Sequence, residues 1–195
     1  MKSASTRVSP SGYHPEPVWV PRRRIRQGQV PENVLHWLLD RASLTQRIVG
    51  ACSGQFRVRV LAQHWTRPMS NEAQALGMDS SGHALVRQVQ LLCDEVPWVY
   101  ARTVIPRTTL TGRERRLAYL KSKSLGATLF ADPSMRRSEV EVVRVTARDK
   151  LHAIVADQLE RVPAVIWGRR SVFTLHDKPL LVSELFLPVI EDKGF

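Results

Sequence analysis

No apolar run in this sequence approaches the roughly 18 residues that a membrane-spanning helix needs. Nor does an apolar stretch follow Met1-Lys2-Ser3-Ala4-Ser5-Thr6-Arg7, as it would in a secretory signal. Only two cysteines occur, Cys52 and Cys93. They define neither a disulfide framework nor a metal motif, which fits a reducing cytoplasm. The six histidines are scattered without ligand spacing. GxGxxG, Walker, HExxH and Ser-His-Asp patterns are missing, so neither a metal nor a nucleotide cofactor is supported. Internal repeats and low-complexity core segments are missing too.

Acidic residues are the minority: 29 Lys and Arg stand against 18 Asp and Glu, a formal charge of +11. A nucleic-acid partner is the obvious reading, but the distribution argues against it. Residues 1–30 hold Lys2, Arg7, Arg22, Arg23, Arg24 and Arg26 against the single acid Glu16, in a segment that also carries Pro10, Pro15, Pro17 and Pro21. The remaining excess is spread over the body. Neither a recognition helix, an aromatic RNA-binding signature nor a zinc finger is present. A solvated basic surface, or attraction of a small anion, accounts for the charge equally well.

What is present is a chain of 195 residues, 43% hydrophobic, enough for one domain with a real core. Residues 1–29 read as a flexible, basic, Pro-rich arm, with Val18-Trp19-Val20 as the segment to be pinned to the body. Residues 30–190 read as the domain. Pro31 suits a helix start, and Val34, Leu35, Trp37, Leu38 and Leu39 supply an apolar face to about Arg41. Ser43 and Gln46 form a capping-box pattern for a second short helix. Strands are expected at about 56–64, 85–93, 98–105, 138–145, 164–175 and 179–188, with a long connection at 66–83. Thr111-Gly112-Arg113-Glu114 is a second capping box, opening a helix to about Lys121. Ser124 caps Leu125 to Ala131, which makes a helix-turn-helix flap. Thr146 to Val162 reads as an amphipathic helix stopped by Pro163. The expected fold is α+β: a single antiparallel sheet of about six strands, helices on one side, and helical flaps over a buried site.

Two charges interrupt apolar strand faces. Glu184 shares a face with Val182 and Phe186, and Arg87 shares one with Leu85, Val89, Leu91 and Cys93. A carboxylate there loses water, and a guanidinium cannot neutralise itself by losing a proton, so each requires a partner. Two arrangements satisfy them. In one they form a buried salt bridge with each other. In the other they hold opposite ends of a flat anionic ligand, with Leu44 and Leu125 as apolar walls.

The sequence resembles the chorismate lyases. The resemblance is carried by Trp37-Leu38-Leu39 with Ser43-Leu44-Thr45, Arg87 with Leu91-Leu92-Cys93 and Pro97-Trp98, and Arg102-Thr103-Val104-Ile105-Pro106. It continues through Leu125-Gly126-Ala127-Thr128-Leu129-Phe130, Trp167-Gly168-Arg169-Arg170-Ser171 and Lys178-Pro179-Leu180-Leu181 running into Glu184-Leu185-Phe186-Leu187-Pro188. It implies a cytoplasmic, cofactor-independent lyase, expected to be a monomer, that converts chorismate to 4-hydroxybenzoate and pyruvate, the first committed step toward ubiquinone. Arg87 and Glu184 match the family's ligand-binding arginine and glutamate, and Leu125 and Leu44 match wall positions. Arg102 or Arg169 is expected on the second carboxylate. Ala101 stands where glycine is common, which predicts tighter packing under the site. The helix near 148–162 looks like an insertion. The competing reading is a non-catalytic sensor of aromatic carboxylates, since the same fold serves in effector domains of transcription regulators. Those carry a DNA-binding domain ahead of it, for which the 30 residues preceding the first helix are too few.

Overall fold

Alternating side chains and tight turns build one antiparallel sheet. The computed structural model describes residues 14–26, 28–159 and 162–191. In chain order these form β1 (Val20–Pro21), a 3-10 turn (Arg22–Arg24), α1 (Glu32–Leu39), α2 (Leu44–Ala51), β2 (Phe56–Thr66), α3 (Ser70–Ala75), β3 (Ala84–Cys93) and β4 (Val96–Pro106). A 3-10 helix (Gly112–Tyr119), α4 (Leu125–Phe130), β5 (Arg136–Arg137), β6 (Glu141–Thr146), α5 (Lys150–Ala156), β7 (Val165–Leu175), β8 (Lys178–Phe186) and α6 (Pro188–Glu191) follow. The strand order is β1-β6-β7-β8-β4-β3-β2, with β5 paired to β7, so eight strands replace the six expected. The two additions, β1 and β5, are two residues each, too short to leave an alternating pattern.

The turns explain the order. Asp94 and Glu95 both take positive φ (45° and 67°) between β3 and β4, and His176 and Asp177 do so (47° and 63°) between β7 and β8. Both are two-residue hairpins whose twist suits antiparallel strands. One row of opposed residues then runs Arg87, Thr103, Val182, Ser171, and the next runs Val89, Ala101, Glu184, Arg169. α1 and α2 cover part of this face, packing Trp37, Leu38, Leu44 and Ile48 on Val89, Leu91, Val99 and Phe186. The 3-10 helix and α4 cover the rest, with Leu117, Leu120, Leu125 and Leu129 on Ile105, Phe173 and Val182. The opposite face is not bare: α5 packs Leu151 and Val155 against Val143, Ile166 and Leu185 there.

Several expectations change. The connection at 66–83 contains α3, because Glu16 accepts the Ser70 and Asn71 N–H groups (2.7 and 2.8 Å) and Glu72 accepts that of Met69 (2.9 Å), satisfying the helix start. The same contacts build part of the supposed arm into the body, since β1 pairs with β6 and Arg170 stacks on Trp19. Residues 1–13 and Gln27 of that arm lie outside the described residues. Thr111 does not cap an α-helix. Its hydroxyl donates to the Thr108 carbonyl, and Glu114 is drawn off to Lys178 Nζ (2.8 Å), leaving a 3-10 helix. The helix expected over 146–162 is confined to α5, because Asp149 accepts from Thr146 N and Oγ1 (2.7 and 2.9 Å) and holds that end as a turn. Glu160 and Arg161 of that expected helix lie outside the described residues.

The cysteine reading is also corrected. Cys52, which ends α2, and Cys93, which ends β3, form a disulfide with Cα atoms 5.8 Å apart. Their separation of 41 residues gave no local signal; β2–β3 pairing, which sets Phe56 opposite Cys93, brings them together.

Candidate active site

The seam between the two helical covers is a small cavity of about 40 Å³ lying on the sheet. Its floor includes Arg87, Val89 and Leu91 of β3, Ala101 and Thr103 of β4, Val182 and Glu184 of β8, and Arg169 of β7. Its roof is made by the starts of α2 and α4. The two helices begin alike: Ser43 Oγ accepts from Gln46 N (3.4 Å), Ser124 Oγ accepts from Ala127 N (3.2 Å), and each cap is followed by a leucine that lines the cavity, Leu44 and Leu125. The two starts are joined by a hydrogen bond between Thr45 Oγ1 and Ser124 Oγ of 2.6 Å. Gly126 allows that approach, since a Cβ there would lie 3.0 Å from Thr45 Oγ1.

Arg87 is 2% exposed and has no carboxylate within salt-bridge distance among the described residues. Its Nη2 donates to the Lys121 and Lys123 carbonyls (2.8 and 3.2 Å), on the segment between the 3-10 helix and α4, and its buried Nε has no acceptor among the described residues. Burial without a counter-ion pushes its pKa down. A guanidinium in this state is an unmet demand for an anion.

Glu184 meets a different arginine from the one its pattern suggested. Arg169, directly opposite on β7, donates Nε to Glu184 Oε2 (2.7 Å) and Nη1 to the Trp37 and Asp40 carbonyls (2.8 and 2.6 Å) at the end of α1. The helix end thus supplies unpaired carbonyls to a buried cation. The other Glu184 oxygen has no donor among the described residues. Arg87 and Glu184 do not pair. They sit on β3 and β8 with β4 between them, about 10 Å from strand to strand.

Arg102 is corrected. It points to the opposite face, where Nε and Nη2 fork onto Glu72 (2.7 and 3.0 Å), and it does not line the cavity. The strand alternation already sets it apart from Ala101 and Thr103, which do. Ala101 is 8% exposed under the cavity, so its methyl fills the floor. The motif Trp167-Gly168-Arg169 is explained by contact: a Cβ on Gly168 would lie 2.8 Å from the Glu184 carbonyl, so glycine lets β7 close on the strand that carries the carboxylate.

Sequence reasoning missed Arg137 of β5, which lines the same cavity. Its Nε donates to Ser171 Oγ (3.1 Å) and its Nη1 to the Arg41 carbonyl (3.3 Å), and it lies over the Phe173 ring. The only signal was the doublet Arg136-Arg137 ahead of a strand. Thr45 and Ser124, 79 residues apart, were read only as local helix-start residues. Among the described residues, no group of three or more His, Cys, Asp or Glu is placed to hold a metal ion.

The family model described as chorismate lyase matches residues 16–194. The chain belongs to the chorismate lyase family. It is 43% identical over 157 residues to a protein of Psychromonas ingrahamii named "Probable chorismate pyruvate-lyase", covering 80% of this chain and 83% of that one. A protein of the same name from Methylococcus capsulatus is 41% identical, covering 79% and 94%. Like other members of the chorismate lyase family by name, this chain is a lyase. Two solved structures resemble it in fold alone. PhnF from Mycobacterium smegmatis has TM-score 0.55 and 16% identity over 80% of this chain and 67% of that one. A GntR-family transcriptional regulator from Bacillus cereus has TM-score 0.51 and 12% identity over 70% and 94%.

Proposed function

We propose that this protein converts chorismate to 4-hydroxybenzoate and pyruvate, and that its product feeds ubiquinone synthesis. The observation that carries the reading is Arg87: a buried, cavity-lining guanidinium with no carboxylate in salt-bridge reach among the described residues, two strands from Glu184 in a cavity walled by Leu44 and Leu125. Arg87 takes the ring carboxylate through charge-assisted hydrogen bonds. Leu44 and Leu125 clamp the ring faces. Glu184 accepts the ring hydroxyl on the oxygen that Arg169 leaves open.

The chemistry asks for little beyond this. The ether C–O bond breaks, its electron pair leaving with the enolpyruvyl oxygen. The C–H bond at the hydroxyl-bearing carbon gives its electrons to the ring, which becomes aromatic, and the leaving enol becomes pyruvate on gaining a proton at its methylene. A site that fixes the reactive conformer and excludes water supplies most of the help such a reaction needs. The ring proton leaves either to Glu184 or to the methylene of the same substrate. Glu184→Gln separates the routes: a loss of about 10²-fold or more assigns the proton to Glu184, whereas a near-wild-type rate assigns Glu184 to orientation.

The deciding experiment mixes purified protein with chorismate and follows 4-hydroxybenzoate by ultraviolet absorbance and pyruvate by a coupled dehydrogenase. Equimolar products are expected. Binding of chorismate without turnover would refute the lyase reading and favour a sensor.

A further inference from the structure

Among the described residues, Arg87, Arg137, Arg169 and Glu184 are the four charged side chains that line the cavity, so this lining carries two more positive charges than negative. A monoanion such as 4-hydroxybenzoate neutralises only one of them. Arg169 is committed on Nε and Nη1 to Glu184 and to two carbonyls of the α1 end. Arg102 lies on the far face with Glu72. Arg137 remains. Its hydrogen bonds go to a hydroxyl and to carbonyls, and it has no carboxylate within salt-bridge distance among the described residues. Burial, and then the neighbouring Arg169 charge, push its pKa down to about 10 against the partial opposition of the Glu184 and Asp40 carboxylates, so it is still charged at neutral pH with no carboxylate in direct contact among the described residues.

Its position adds a direction. Ser171, which Arg137 touches, stands in the same cross-strand row as Arg87, three strand spacings away, about 14 Å between backbones. Glu184 projects from β8, one of the two strands between them. The cavity therefore has a cation toward each end and a hydrogen-bond acceptor along its length. Resting on the lyase reading above, we propose that Arg137 binds the second carboxylate of a dianionic substrate, the enolpyruvyl carboxylate of chorismate, and is the residue by which the site distinguishes substrate from aromatic product. Arg87 is then used by both molecules and Arg137 by the substrate alone. When the ether breaks, the carboxylate held by Arg137 departs with pyruvate, and the aromatic product stays on Arg87 and Glu184.

The test compares Arg137→Gln and Arg137→Lys with Arg87→Gln, reading KM for chorismate and, separately, the dissociation constant of 4-hydroxybenzoate by equilibrium titration. For Arg137→Gln, KM is expected to rise about 10- to 100-fold while 4-hydroxybenzoate affinity moves less than about twofold, with Arg137→Lys recovering much of the loss. Arg87→Gln is expected to weaken both ligands. Unchanged KM in Arg137→Gln, or equal weakening of both ligands, overturns the assignment. If the wild-type protein forms no 4-hydroxybenzoate, the lyase reading fails by itself. The Arg137 assignment is then decided by titrating chorismate against 4-hydroxybenzoate: Arg137→Gln must weaken the dianion and spare the monoanion, or it falls.

Discussion

Arg87 and Arg102 are both buried arginines, 2% and 6% exposed, on neighbouring strands, yet replacing each with methionine is expected to have very different effects on stability. Arg102 forks onto Glu72, itself 2% exposed. Removing it strands a carboxylate in the interior, which costs about 3–5 kcal/mol. For a chain of this size that lowers the melting temperature by roughly 6–20 °C. Arg87 has no carboxylate to strand. Its removal loses two hydrogen bonds to carbonyls, about 1.5–3 kcal/mol each for a charged donor, and relieves a desolvation cost of several kcal/mol. The two nearly cancel, because Lys121 and Lys123 are exposed and water can replace the guanidinium. Arg87→Met is therefore expected to unfold within about 1 kcal/mol of wild type, or later, while kcat/KM for chorismate falls by about 10²-fold or more. Thermal and urea unfolding, paired with the turnover assay, read both quantities. A loss of more than about 3 kcal/mol in Arg87→Met would refute the reasoning, because it would make Arg87 a structural tie rather than a ligand site held ready.

Three other outcomes are expected. Gly168→Ala would press a methyl onto the Glu184 carbonyl and the Val143 side chain, costing about 1–3 kcal/mol and lowering activity together; an unchanged melt and rate would contradict the packing account. Reducing Cys52–Cys93 opens a 41-residue loop worth about 4 kcal/mol, so reductant is expected to lower the melting temperature of wild type and not of Cys52→Ser. Burial tends to raise the pKa of Asp40, but hydrogen bonds from Ala42 and Arg47 and the Arg47 and Arg169 charges outweigh it and hold the carboxyl below its ordinary 3.8. Its stabilisation is complete above that value and disappears as pH falls through the lower folded-state value, so Asp40→Asn is expected to flatten the acid limb of stability below about pH 4.

Side-chain alternation made much of this legible. The faces of β3 and β8 singled out Arg87 and Glu184 because charge on an apolar strand face needs a reason, and the Ser43 and Ser124 caps placed Leu44 and Leu125 at helix starts. What could not be read was long-range. Of the two arrangements open to Arg87 and Glu184, the direct salt bridge fails, because alternation says which face a residue takes and not which strand lies beside it; only the β7–β8 register puts Arg169 beside Glu184. Arg102 was misassigned by motif against its own alternation. Glu72 looked like one more polar residue in a connection until its helix met Arg102. Arg137 sits on two residues of strand, below the length at which any periodicity exists.

The clasp formed by Arg87 on the Lys121 and Lys123 carbonyls has a kinetic consequence. Under the proposed function, one guanidinium both shuts the cover and grips the carboxylate beneath it. Tight holding and quick discharge are then set by the same group, and a variant that loosens the clasp speeds release at the expense of affinity. In such a site turnover and retention of product are coupled through Arg87, and release waits on the opening of the Lys121–Lys123 segment that it holds.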